Sequence, residues 1–518
     1  MSDQVYLYDC TLRDGTQGED VALSVSDKLQ IARRLDDFGV HFIEGGWPGS
    51  NPKDAEFFTL ARQENWTSNL CAFGSTRHYR NKVQEDPNVE ALIKAHTPVV
   101  TVVAKSWDFH VEKALRISLQ ENLTLIHETV EYLKEHVELV VFDAEHFFDG
   151  YKDNPEYTKQ VIDTAATAGA DWIVLCDTNG GALPSEIANV TAGMVEKFDR
   201  IGIHTHNDCE LGVANSVAAV ESGARMVQGT TNGLGERTGN ANLTSIIPII
   251  DLKIKGKRAV GHKALRSLTS VSHFVAEVSN IAVDRNLPFV GRSAFAHKGG
   301  IHVNALQKDS RTYEHMSPQE VGNQRRILIS DLAGRASLNL KLEEFGIDPT
   351  SVDLDTLLVR IKKLEYEGYQ FEGAEGSLRL LITETIGDRS EPFSCSGFQV
   401  SMNNLSGKFS SKASVKVRVD EQEENASAKG NGPVHALDRA VKKAVAKFFS
   451  DAECIRLTDY KVRVLDARDG TGAQVRVLIE STDGEQNWST VGVSHNVIEA
   501  SWTAIIDSIR YKLLFLKS

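Results

Sequence analysis

Cysteine is scarce. The chain has six in 518 residues, and no two stand close enough for a C-x-x-C pair, which excludes a disulfide framework and the common zinc or redox dithiol sites. Cys10, Cys71 and Cys176 lie in apolar runs and read as buried thiols of a reducing compartment. Cys209, after a polar cluster, is given the same structural reading. Positive charge is also in deficit. Lys and Arg total 57 against 71 Asp and Glu, a net charge of −14 with pI near 5.6. Without a basic block, neither a nucleic-acid nor an anionic-membrane partner is expected. No apolar run approaches the roughly 18 residues of a membrane span. The opening MSDQVYLYDC has neither the basic nor the apolar stretch of a secretory signal, so a cytoplasmic location is expected. Three chemistries lack their signatures: there is no G-x-x-x-x-G-K-[ST] phosphate loop, no G-x-S-x-G elbow, and Gly233, Gly235 and Gly239 are wrongly spaced for a dinucleotide fingerprint.

What remains is ordinary globular composition, 41% hydrophobic and 25% charged, in a chain long enough for two to four domains. The first 240 residues hold eight short runs rich in β-branched residues: Val5–Arg13, Phe42–Gly46, Leu70–Ser75, Val99–Ser106, Leu139–Phe147, Trp172–Thr178, Ile201–Asp208 and Met226–Gly233. Helical patterns lie between most of them. In Ser26–Phe38, Leu29, Ala32, Leu35 and Phe38 recur at a spacing of three before Gly39; Glu128–His136 and Tyr157–Ala168 behave similarly. Eight β-α units at a spacing near 30 residues predict a (β/α)8 TIM barrel, with a doubly wound open sheet as the alternative.

The pattern then changes. Helices are predicted at His262–Val283, Ser337–Phe345 and Asp355–Glu367, and Arg292–Asn304 reads as a loop entering a helix. Strands are expected to return from Gly376. Val415, Val417 and Val419 alternate with charges, and a helix opens after Gly430–Pro433. About 60 residues later Val475, Val477 and Ile479 form a strand, Gly492 precedes a turn, and Val497–Ile509 form a helix. This reads as a duplicated unit in a C-terminal α+β domain, with Glu421–Gly432 as a mobile loop. The expected domains are 1–270, 271–380 and 381–518.

Barrel enzymes carry their chemistry at the C-terminal ends of the strands. Here those ends bear Arg13-Asp14-Gly15, Asp143-Ala144-Glu145-His146, Asp177-Thr178-Asn179 and His204-Thr205-His206-Asn207-Asp208; Gly235-Glu236-Arg237-Thr238-Gly239-Asn240 follows strand eight. His204 and His206, two apart on a strand, face one side with Cα atoms about 7 Å apart. Two imidazoles near a carboxylate such as Asp14 can hold one divalent cation and leave positions open for substrate oxygens. The donor set does not choose among Mg, Mn and Zn. Arg13 beside such a cation suits an anionic substrate, since guanidinium pairs bidentately with carboxylate.

Tyr8-Asp9-Cys10-Thr11-Leu12-Arg13-Asp14-Gly15-Thr16-Gln17, His204–Asp208 and Gly235–Asn240 together resemble the 2-isopropylmalate, homocitrate and citramalate synthase family, and the resemblance covers essentially the whole chain. Ile43–Pro52 and Phe142–Tyr151 look like its citramalate branch rather than its isopropylmalate branch. The resemblance implies a homodimeric acyltransferase that condenses acetyl-CoA with a 2-oxo acid, pyruvate in the citramalate branch and 2-oxoisovalerate in the isopropylmalate branch. It further implies that Asp14, His204 and His206, with Asn240 directly or through water, hold the metal; that Arg13 stabilises charge on the ketone oxygen; and that Thr178 binds the oxo-acid carboxylate. Glu145 matches a catalytic glutamate. His302 and Tyr313 match residues that the family supplies from the region after the barrel, usually from the neighbouring subunit. Either Glu145 or His302 can serve as the base at this stage. Phe142, Phe147 and Phe148 flank Glu145 and are candidates for narrowing the pocket. The C-terminal domain resembles an allosteric domain, with isoleucine the effector expected in the citramalate branch. A related barrel lyase is disfavoured by that domain. A non-catalytic amino-acid sensor is disfavoured by the intact set Arg13, Asp14, Glu145, His204 and His206.

Overall fold

The computed structural model of the chain describes residues 4–387, 391–405, 408–465 and 472–516. The chain divides into two compact units: Met1–Phe295 with Met316–Arg325, and Ala296–His315 with Arg326–Ser518.

The first unit holds a closed barrel of eight parallel strands, paired in sequence order. They are β1 (Tyr6–Asp9), β2 (Phe42–Gly46), β3 (Asn69–Ser75), β4 (Val99–Lys105), β5 (Leu139–Glu145), β6 (Trp172–Asp177), β7 (Ile201–Thr205) and β8 (Met226–Gly229). β1 closes on β8 from Tyr6 opposite Met226 to Asp9 opposite Gly229, so an open sheet is excluded. Alternation along each strand sorts the side chains. In β5, Val140, Phe142 and Ala144 enter the core between strands and helices, while Val141 joins Tyr8, Phe42, Cys71, Val99, Trp172, Val174 and Met226 in a second apolar cluster.

The helices follow the periodicity. Val25–Phe38 begins at a capping box in which Ser24 accepts from Asp27 N and Asp27 accepts from Ser24 N, an arrangement worth about 1 kcal/mol. It buries Leu29, Ile31, Ala32, Leu35 and Phe38. The other two patterns overlap the helices Leu119–Lys134 and Pro155–Thr167, which end two residues and one residue before the expected His136 and Ala168; the latter helix is capped by Asn154. His262–Val283 is two helices, His262–Leu265 and Leu268–Val278. Among the described residues, no helix is long and apolar enough to cross a membrane.

The second unit begins with β9 (Ala296–His297), paired parallel to β10 (Arg326–Ile327). Helices Gly300–Lys308, Arg335–Glu344, Leu354–Tyr366 and Glu375–Thr385 contribute to a core that includes Val303, Leu338, Leu342, Leu357, Ile361 and Leu378. Two copies of one motif follow, each a three-stranded antiparallel sheet and a helix: β11 (Ser394–Leu405), β12 (Lys408–Val419), β13 (Gln422–Gly430) and Pro433–Val445; then β14 (Arg456–Val464), β15 (Val475–Thr482), β16 (Asn487–Ser494) and Val497–Phe515. Both copies bury their apolar faces in one core, with Val415, Val417, Leu437 and Val441 from the first and Val477, Ile479, Trp488 and Ile505 from the second.

Three local expectations are corrected. Strands do not return at Gly376; Glu375–Thr385 is a helix, because Leu378, Leu381 and Ile382 bury at helical spacing. Glu421–Gly432 is largely strand β13, not a loop. Ala426 is buried, and exposed Glu423 pairs across the sheet with Lys416 and Arg418, so its polar composition marks a solvent face. Gly492 lies inside β16 rather than before a turn; a Cβ there would stand 2.0 Å from Ala500 O, so glycine permits the helix to approach.

Candidate active site

β1 stops at Asp9, short of the expected Arg13, because the backbone folds back: Arg13 N and Gly15 N donate to Cys10 O at 3.1 and 3.0 Å. Arg13 and Asp14 are therefore presented on a tight turn. Arg13 is held from three directions. Its Nε donates to Glu44 Oε2 at 2.6 Å, its Nη1 donates to Asp14 Oδ2 at 3.0 Å, and its guanidinium carbon lies 3.9 Å from the centroid of Phe73. The other Glu44 oxygen accepts from Tyr8 OH at 2.8 Å. Such a fork, charge-paired on one edge and stacked on an aromatic face, suits arginine and not lysine.

β7 and the residue after it supply the two histidines. Their Nε2 atoms are 3.3 Å apart, and His204 Nε2 is 3.7 Å from Asp14 Oδ2. All three residues are buried, with one potential ligand atom of each lying within 4.8 Å of the others. Asn240 faces His206 across an antiparallel bridge, and its Nδ2 donates to Asp14 Oδ1 at 3.1 Å and Leu234 O at 3.2 Å. Gly235 (φ +154°) makes this possible, since a Cβ there would lie 2.2 Å from Asn240 Nδ2.

The donor chemistry suits a divalent cation. Burial, then the neighbouring His204, pushes His206 down to about 4, so its ring is neutral and keeps a lone pair at neutral pH. Burial alone would raise Asp14, but Arg13, His204 and His206 pull it down to about 2, leaving a carboxylate. His206 Nδ1 and Asn240 Oδ1 are buried without a hydrogen-bond partner, and the latter is a fourth potential donor. Buried polar atoms left open in this way are usual where a ligand completes the site.

Arg13, Asp14, His204 and His206 line a cavity of about 440 Å³. Trp47, Phe73, Val103 and Leu115 give it an apolar wall; Arg13, Asp143, Glu145, Thr178 and Arg237 supply polar groups. Trp47 is fixed by Nε1 donating to Asn88 Oδ1 at 2.7 Å and by an edge contact with Phe73 at 5.4 Å between centroids. Glu145 pairs with Lys105. Thr178 Oγ1 accepts from His146 N at 2.8 Å, which leaves its own proton to donate. Burial, then the nearby Glu44, raises Asp143 to about 8, so it is predominantly a neutral acid at neutral pH.

Phe142, Phe147 and Phe148 do not line this cavity. All three are buried in the core around the barrel: Phe142 alternates with Asp143 in β5, whereas Phe147 and Phe148 open the helix Phe147–Asp153 that follows the strand. Cys209 is exposed rather than packed, in the turn after β7. His302 and Tyr313 belong to the second unit, where they are exposed and stack at 4.1 Å between ring centroids.

Three family models match successive parts of the chain: HMGL-like over residues 4–275, the homocitrate synthase post-HMGL domain over 289–368, and the LeuA allosteric (dimerisation) domain over 372–513. The chain is 55% identical to the (R)-citramalate synthase of Aquifex aeolicus, an alignment covering 99% of this chain and 98% of the relative. The chain belongs to the (R)-citramalate synthase family. The Geobacter sulfurreducens member is 50% identical over 98% of this chain and 97% of its own. A probable 2-isopropylmalate synthase of Methanopyrus kandleri is 33% identical over 98% of each chain.

For a member of the (R)-citramalate synthase family, the sequence reading gave no role to Glu44, Trp47, Phe73, Lys105, Asp143 or Gln228. Glu44, Trp47 and Asp143 stood in the motifs quoted above, and for the two acids a charged residue inside an apolar strand was the available signal. Trp47 and Phe73 had no such signal, because an aromatic side chain facing a cavity has the same composition as one facing the core.

Proposed function

We propose that this chain condenses acetyl-CoA with pyruvate and hydrolyses the thioester, giving (R)-citramalate and CoA for isoleucine biosynthesis. The observation that carries the reading is the buried Asp14, His204 and His206 set beside Arg13 at the cavity, in a chain of this family. These residues, with Asn240 Oδ1, would hold a divalent cation (Mg, Mn or Zn), which when bound supplies Lewis-acid polarisation of the oxo acid's ketone. Arg13 offers its remaining Nη2 to the negative charge developing on that oxygen. Thr178 donates its hydroxyl proton to the oxo-acid carboxylate. The acetyl methyl loses a proton to Glu145 or His302, its carbon bonds to the ketone carbon, and the ketone oxygen gains a proton. Water then cleaves the thioester and releases the CoA thiol. Tyr313 accompanies His302 as its stacking partner.

The fixed wall of Trp47 and Phe73 supports a small oxo-acid substituent. Thiol release across a panel of 2-oxo acids tests this. Pyruvate should exceed 2-oxoisovalerate in kcat/KM by at least about 10-fold, since a single methylene in an apolar pocket separates substrates on that scale and these two differ by two carbons. Preference for 2-oxoisovalerate would reassign the substrate, and no release with any oxo acid would favour an amino-acid sensor.

The region matching the LeuA allosteric (dimerisation) domain supports a homodimer inhibited by isoleucine. A chain ending near Thr385 should lose that inhibition and keep measurable condensation. Site-to-site coupling of this kind is typically about 5–150-fold in affinity. Undiminished isoleucine sensitivity after truncation would make the domain structural.

A further inference from the structure

Next to the candidate metal ligands runs a buried chain of hydrogen bonds. Gln228, on β8, has no exposed surface, and neither of its amide atoms reaches the solvent. Its Nε2 donates to Asp143 Oδ1 at 2.9 Å, and its Oε1 lies 2.8 Å from His204 Nδ1. An amide oxygen cannot donate, so the proton in the second bond belongs to His204 Nδ1. His204 Nε2 is then left with its lone pair, on the side facing His206 Nε2 and Asp14. The reverse amide orientation would put Nε2–H against His204 Nδ1, move the ring proton to His204 Nε2, and block that atom as a ligand. A neutral imidazole has one donor and one acceptor, so whatever occupies Nδ1 decides what Nε2 can do.

We propose that Asp143 and Gln228 act as positioning residues: Asp143 orients the Gln228 amide, and Gln228 fixes His204 in the tautomer whose Nε2 can bind a divalent cation. Both are spatial neighbours from distant strands, β5 and β8, and neither is itself one of the candidate ligands. The arrangement lengthens the familiar carboxylate–histidine–metal pattern by one amide. Outer partners of that kind typically contribute 10–100-fold in metal affinity. The proposal rests on the reading of Asp14, His204 and His206 as a cation site.

The test is titration of the metal-free full-length protein with Co(II), following the visible absorption of the bound ion and its dissociation constant. Gln228→Leu should weaken Co(II) binding about 10–100-fold and change the absorption. Asp143→Leu removes the oxygen that accepts from Gln228 Nε2 and leaves the amide free to reverse, so it should weaken binding in the same direction. Gln228→Glu, which still accepts from His204 Nδ1 and can take a hydrogen bond from the Asp143 acid, should restore affinity to within a few-fold of the parent. Thermal unfolding identifies any variant that has lost the fold; if Gln228→Leu has, Asp143→Leu decides alone. Parent-like affinity and absorption in folded Gln228→Leu, or in folded Asp143→Leu where it alone decides, would overturn the proposal. His206→Ala separates the two readings: if it too binds Co(II) like the parent, the cation site itself is wrong, whereas weak binding there with parent-like binding in the Gln228 and Asp143 variants removes only the positioning role.

Discussion

Asp14, His204 and His206 expose 4–6% of their surface, and each is fixed by neighbours that are themselves fixed; Tyr313 exposes 45% and, with His302, forms a stacked pair on the surface of its unit. The first group is drawn from two strand ends, those of β1 and β7, the second from one short stretch around the helix Gly300–Lys308. Packing sets the geometry of the barrel group in every copy of the chain, as a site that must stabilise charge requires. The surface pair has rotamer freedom to lose, so its contribution to chemistry depends on what covers it.

The largest effect should come from breaking the buried group. His206→Ala or Asp14→Ala should reduce turnover to below about one thousandth, since each removes a ligand and leaves the other buried groups unbalanced. Chelation should inactivate the parent protein, and a divalent ion should restore it; full activity in chelator-treated, metal-free protein would remove the assignment.

Second in size is the exposed pair. If His302 moves the proton, His302→Ala should lower kcat by about 10²–10⁴-fold with little change in the KM for the oxo acid. Mixing it with a His206→Ala chain should recover part of the activity if the pair serves a neighbouring subunit. An unchanged kcat would leave His302 a surface residue.

The smallest effect concerns stability rather than chemistry, and lies in the second unit. Loss of hydration pushes Asp507 up to about 7, even though it accepts from Ser377 Oγ at 2.8 Å. An unfolded aspartate titrates near about 3.9. The folded chain therefore holds a proton that the unfolded chain lacks, so this contribution is complete below about pH 4 and is lost as pH rises through 7. Asp507→Asn should flatten the unfolding temperature between pH 5 and 8; an unaltered slope would mean that Asp507 is not its source.

Much of this was legible in the sequence. Eight runs with helical patterns between them gave the barrel, because burial on both faces leaves continuous apolar strands. The metal-ligand candidates were legible because charged and imidazole side chains at strand ends have few structural uses. The roles of Tyr8, Glu44 and Gln228 were not, since they exist only where side chains of different strands meet inside the closed barrel, although the charge of Glu44 in an apolar strand was a signal. β13 was misread for the opposite reason: its polar residues are a solvated sheet face, and a single exposed strand lacks the periodic apolar signal that burial writes. Of the aromatic triplet near Glu145, Phe142 is turned from lumen to helix layer by one residue of parity, and Phe147 and Phe148 are taken into the core by the helix Phe147–Asp153, which begins where the strand pattern ends.

Barrel closure also sets a clock for biosynthesis. The pairing of Tyr6 with Met226 is the seam of the barrel, and Asp14 is made some 190 residues before His204. At about 5–20 residues per second, the first strand waits roughly 10–45 s for its partner. During that interval the β8-facing edge of β1 is unpaired, and Asp14, a candidate cation ligand, is an isolated carboxylate on a nascent chain. Each three-stranded sheet of the C-terminal domain, by contrast, pairs only strands adjacent in sequence and can form as soon as its turns emerge. The vulnerable period for this protein is therefore early in translation, and chaperone demand should fall on ribosomes that have passed β1 but not yet reached β8.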